Sequence, residues 1–95
     1  MSVKIGNTQF DRVSYDADAD VLYLHVGDPA DAVDFDGSEE GHALRYDASD
    51  RLVGITIMNA RWTLEQRGVV VITTSEERLE ASREEPAPAL VSRAA

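Results

Sequence analysis

Hydrophobic and polar positions alternate most cleanly from Val21 to Val26. Leu22, Leu24 and Val26 share one parity there, and Val21, Tyr23 and His25 the other. Period-two alternation with one aliphatic parity is the pattern of a strand that rests one face on a core. The residues before it, Asp16, Asp18 and Asp20, favour a turn, because short carboxylates bond nearby backbone amides. Upstream, Val3–Ile5 and Thr8–Phe10 flank Gly6-Asn7, an acceptable two-residue hairpin turn. Gly27-Asp28-Pro29 ends the main strand, since proline has no N–H for a ladder. From Asp31 to Gly41 only Val33 and Phe35 are large and apolar, which leaves room for a short edge strand but predicts a mobile connection. His42, Leu44 and Tyr46 resume the alternation, and Leu52 to Met58 is the second strong strand. Asn59 is placed to cap a helical turn from Ala60 to Arg67, closed by Gly68, with Trp62 and Leu64 folding back onto the sheet. Val69 to Thr73 is a continuous β-branched run, the signature of a buried strand. Thr74 three residues before Glu77 forms a capping-box pattern and predicts a helix from about Ser75 to Glu85. Pro86 to Ala95 has the alanine- and proline-rich composition of a disordered tail. The expected architecture is mainly β (α+β): one domain over residues 1–85, a small antiparallel sheet of hairpins with four to six strands, and one or two short helices.

A short echo bears on register. Tyr15-Asp16-Ala17 recurs as Tyr46-Asp47-Ala48, each ahead of a strong strand. Four-residue loops, Asp16 to Ala19 and Asp47 to Asp50, would set Val13 opposite Leu22 and Leu44 opposite Val53. A one-residue slip would put Leu44 against Gly54 instead, so the hydrophobic pattern favours the four-residue loops.

The stretches Y-D-A-D-A-D-V-L-Y-L (Tyr15 to Leu24) and R-L-V-G-I-T-I-M-N-A (Arg51 to Ala60) resemble a bacterial and archaeal family known as domain of unknown function 2283. Its pattern is a tyrosine-aspartate turn, an aspartate before an aliphatic-tyrosine strand, and a glycine-isoleucine strand ending near asparagine-alanine. The resemblance covers about residues 12–64. It implies the fold and brings no activity or catalytic residues; some members are encoded beside toxin-like neighbours.

Charge changes the picture more than composition does. The formal net charge is -9, and between Asp11 and Asp50 twelve acids face only two bases, Arg12 and Arg45. Such a field repels nucleic-acid backbones and anionic membranes and favours a basic partner. The chain has no cysteine, which excludes disulfides, thiolate zinc sites and cysteine nucleophiles. No apolar run approaches the roughly 20 residues of a membrane span, and the expected location is the cytoplasm.

Candidate chemistry is sparse. Asp16, Asp18 and Asp20 have the one-three-five spacing of a calcium loop, but Val21 replaces the required glycine and Gly27 the closing glutamate. His25 and His42, with Asp20 or Asp28, are the residues a metal-dependent enzyme or metal-binding protein would use, although no local spacing joins them. Ser14, Ser38, Ser49 and Ser75 lack a nucleophile-elbow context, and no phosphate loop or dinucleotide fingerprint occurs. Tyr15, Tyr23 and Tyr46 read as packing residues, because the acidic field opposes nucleic acid. No catalytic residue, metal ligand or cofactor is expected. The leading expectation is a non-enzymatic domain that self-associates as a homodimer or holds a basic protein partner. Its interface would include Trp62, Val69 and Val71, because Val69 to Ile72 puts apolar side chains on both faces of one strand.

Overall fold

The computed structural model describes residues 2–82, and within them strands dominate. Strands β1 (Val3–Ile5) and β2 (Thr8–Phe10) form a hairpin about Gly6-Asn7. Strands β3 (Arg12–Asp16), β4 (Val21–His25), β5 (Asp34–Gly37), β6 (Ala43–Tyr46) and β7 (Leu52–Met58) make one antiparallel sheet in the order β3-β4-β7-β6-β5. Helix α1 (Ala60–Arg67) then leads to β8 (Val69–Thr73) and β9 (Arg78–Ser82), which pair with each other.

One face of the five-stranded sheet holds the core. Leu22, Leu24, Ile55 and Ile57 are buried in directly opposed pairs, with Val53 beside them, as the parity of both strong strands predicts. Tyr15 and Leu44 extend that face. It is covered by Val3, Ile5 and Phe10 of the first hairpin, by Ala60 and Leu64 of α1, and by Val70, Ile72, Leu79 and Ala81 of the last hairpin. Gly6 is required twice over: its φ is +61°, and a Cβ there would stand 2.9 Å from Leu79.

Four expectations need correction. The segment from Ser75 is no helix; β9 occupies Arg78–Ser82, while residues 83–85 and the tail 86–95 lie outside the described residues. Thr74 uses its capping oxygen to close a turn: Oγ1 accepts from the N–H groups of Glu76 and Glu77 and donates to the Glu77 carbonyl. A helix there would have offered only Leu79 and Ala81 to the core, whereas a strand places both on one buried face with Glu80 outward. Secondly, the register is shifted by two residues: Val13 faces Leu24 and Leu44 faces Ile55. Parity survives and apolar still opposes apolar, but the first loop is residues 17–20, and a bulge between Arg45 and Tyr46 lengthens the second to residues 47–51. Thirdly, residues 34–37 form a paired edge strand. Finally, Trp62 does not fold back onto the sheet; it is 54% exposed, and Leu64 alone of that pair is buried.

Candidate functional site

The aspartate loop proves to be a structural joint. Asp16 Oδ1 accepts from the N–H groups of Asp18 and Ala19, which makes the turn. Asp20 adopts φ +56°, a left-handed conformation that aspartate tolerates better than most residues. From there its carbonyl accepts from Ala60 N–H, and its carboxylate accepts from Arg61 N–H at 2.8 Å and Trp62 N–H at 3.0 Å. Asp20 is therefore the N-terminal cap of α1, supplied from another hairpin. Asn59 precedes the helix at φ +54° and makes no side-chain cap bond. The Tyr15 hydroxyl donates to Asp20 Oδ1 at 2.7 Å, and the Arg61 guanidinium lies over the Tyr15 ring. Burial raises the Asp20 carboxyl, but the bonds from Tyr15, Trp62 and Arg61 and the Arg61 charge outweigh it and hold the group below the usual range. Burial and the same Asp20 contact push Tyr15 up to about 12.

His25 and His42 stand on opposite faces of the sheet. His42 is buried on the core side, where Nδ1 accepts from Met58 N–H and the ring bonds the backbone of Val71, joining the start of β6 to β7 and β8. Burial lowers its pKa, partly offset by the Glu40 charge and the bond to Val71. Glu40 ties the same turn to β8 by accepting from Thr73 N–H and Oγ1; burial opposes its ionisation, yet those bonds hold it at about 2. His25 lies on the outer face with Arg12 and Arg45. Among the described residues no group of three or more His, Asp or Glu side chains is arranged so that it could hold a metal ion, and His25 and His42 are not brought together. Ser14 stands on the outer face, Ser49 and Ser75 in turns, and the buried Ser38 accepts from His42 N–H. Tyr15, Tyr23 and Tyr46 form no common surface: the first is in the core, the second is outward, and the third borders a groove.

That groove was not anticipated. It runs between the open end of the sheet's core face, the Gly6–Asn7 turn and the turn at residues 74–77, with a volume near 990 Å³. Its floor is apolar, from Val26, Tyr46, Leu52, Val53 and Leu79, and acids crowd its rim. Asp31, Asp34, Asp36, Asp47, Asp50, Glu76 and Glu77 border it against one base, Arg51, whose Nε is 3.0 Å from Asp47. Tyr46 registers the field: burial first, then Asp36, Glu76 and Glu77 together, raises its pKa. These acids come from residues up to 46 apart in sequence. The charge asymmetry was visible in the chain, but Glu76 and Glu77 lay inside an expected helix, which hid their approach to β5. Of the expected interface residues, Trp62 is exposed on α1, while Val69 and Val71 are half-buried on the side of β8 opposite Val70 and Ile72.

No curated protein and no solved structure matches the chain. A family model does match, over residues 12–61, which takes in β3 through the start of α1 and with them the Tyr15–Asp20–α1 joint. That span is more than half of the 95 residues, and the chain belongs to the family described as Protein of unknown function (DUF2283).

Proposed function

We infer that this is a non-enzymatic binding domain whose acidic groove holds a basic segment of a partner protein. The observation behind the reading is the convergence of seven acids from four chain segments around an apolar floor, with a single base already paired. An amphipathic segment carrying Lys or Arg would lay its apolar side on Tyr46, Leu52 and Val53. Its cations would reach Asp36, Glu76 and Glu77. Such complementarity steers association and selects partners more than it adds affinity. A cysteine-free acidic chain suits work in the cytoplasm. Affinity capture from the native host at low and high salt tests the reading. The expected result is a partner with a pI above roughly 9, released as ionic strength rises. Recovery of only neutral or acidic, salt-insensitive partners would contradict it.

A second reading, a homodimer, is favoured by the exposure of Trp62 on α1 and by the half-buried Val69 and Val71 on β8. Light scattering at micromolar concentration should then give twice the chain mass, and Val71→Asp should return it to one. A monodisperse monomer that accepts Val71→Asp without loss of stability would remove this reading.

A further inference from the structure

The outer face of the sheet carries a second cleft, of opposite character. One row across the strands reads Arg12 (β3), His25 (β4), Gly54 (β7), Arg45 (β6) and Phe35 (β5), each directly opposite the next. The adjacent row contributes Ser14, Tyr23 and Thr56. All of these except Gly54 and Phe35 line a cleft of about 440 Å³, rimmed by Asp11 and Pro29, a size typical of small-molecule sites.

Three features of this row point to a bound ligand, the first of them to an anion. First, Arg12 and Arg45 are the only bases between Asp11 and Asp50 in a chain of net charge -9, and both fall here. Neither belongs to an ion pair among the described residues. Second, His25 is 7% exposed; Nδ1 donates to the Val26 carbonyl at 2.8 Å, and Nε2 is buried with no partner. A buried polar atom left unmatched is costly, and few survive in folded chains without a role. Third, Gly54 lets the flanking side chains close over β7. A Cβ there would stand 2.9 Å from His25 Cδ2 and 3.1 Å from Arg45 Cβ, so the imidazole and the arginine stem lie together above the glycine. Arg45 is also seated over the Phe35 ring, 5.5 Å from its centroid, which directs the guanidinium along the face. The one acid on the rim, Asp11, accepts from Gly27 N–H at 2.9 Å and keeps its charge, which also acts on Arg12, so a bound anion would compete with it for that guanidinium.

We propose that this cleft binds the oxyanion of a small molecule, a carboxylate or phosphate, between Arg12 and Arg45, with the hydroxyls of Ser14, Tyr23 and Thr56 as further donors. His25 Nε2, the acceptor of a ring whose Nδ1 carries the proton, takes a hydrogen bond from an O–H or N–H of the same ligand. Arginine forks suit both groups because they offer paired N–H donors in one plane. The site is independent of the acidic groove, which opens on the other side of the sheet, and either can fail without the other.

Amide and imidazole NMR titrations test it, with sodium phosphate and sodium acetate as separate probes against sodium chloride at equal ionic strength. The expected result is saturable movement of Arg12, His25 and Arg45 resonances with at least one oxyanion and not with chloride. Response to phosphate alone assigns phosphoryl ligands, and response to acetate alone assigns carboxylates. Affinity should fall roughly tenfold or more in Arg12→Gln/Arg45→Gln. It should hold in Lys4→Gln/Arg67→Gln, which removes the same charge elsewhere. Should loss of the Arg45 stem unfold the double variant, Arg12→Gln alone must show the weakening. Linear, unsaturable shifts with both oxyanions, or equal affinity in the arginine and control variants, would overturn the proposal.

Discussion

Asp20 shows how a residue chosen for one chemistry serves another. Its position in a one-three-five aspartate run suggests an ion ligand, yet its carboxylate is spent on two helix N–H groups and the Tyr15 hydroxyl. Asp20→Ala should cost about 1–3 kcal/mol in chemical denaturation, since a cap is lost and a buried hydroxyl loses a charged acceptor. The effect should be pH-dependent. The folded carboxyl titrates below the usual carboxylate range, so its stabilisation is complete above about 3.9, the unfolded value, and disappears as pH falls through the lower, folded one. His42 gives a second pH signature. Its folded pKa is lowered from 6.5, so the unfolded chain takes the proton more readily. Stability is therefore full above that value and declines as pH falls toward the folded one. Thermal melts between pH 7.5 and 5 should show this decline in the wild type and not in His42→Gln; equal slopes would contradict it. Sequence alone could place His42 on an apolar parity. It could not show that Nδ1 meets a backbone N–H sixteen residues away.

The elements were legible where pattern and burial agree, and obscure where one local signal has two uses. Leu22 to Leu24 and Val53 to Ile57 were readable because period-two burial has no competing explanation. Leu24→Ala should accordingly cost about 2–5 kcal/mol by opening a cavity; a loss well below that range would mean that Leu24 is not in the core. Thr74 and Glu77 were misread because a threonine oxygen that accepts from a following N–H begins helices and tight turns alike. The deciding fact is tertiary: Leu79 and Ala81 find the first hairpin and α1 in the same core. Register was misjudged by two for a related reason, because parity cannot distinguish pairings that differ by an even step. The bulge at Arg45 and Tyr46 likewise leaves no mark in the hydrophobic pattern. Gly54, by contrast, has a packing reason. Gly54→Ala should destabilise by about 1–3 kcal/mol through contact with His25 and Arg45. Unchanged denaturation would show that both side chains yield freely.

At the scale of the whole molecule, charge is sorted by face. The matched family segment builds the sheet and its joint to α1, while the acidic groove adds the turn at residues 74–77 from outside that segment. The net acidity could be read directly from the chain, and its concentration around an apolar floor could not, because it depends on a hairpin mistaken for a helix. The groove is the central functional claim, and one comparison of binding isotherms tests it most directly. Affinity for the captured basic partner should be measured for two triple variants that change net charge equally. Asp36→Asn/Glu76→Gln/Glu77→Gln removes three of the seven groove acids, and Asp18→Asn/Glu39→Gln/Glu65→Gln removes three exposed acids outside it. Roughly tenfold or greater weakening confined to the groove variant is the expected result; equal affinities in the two variants would show that net charge, and not the groove, attracts the partner.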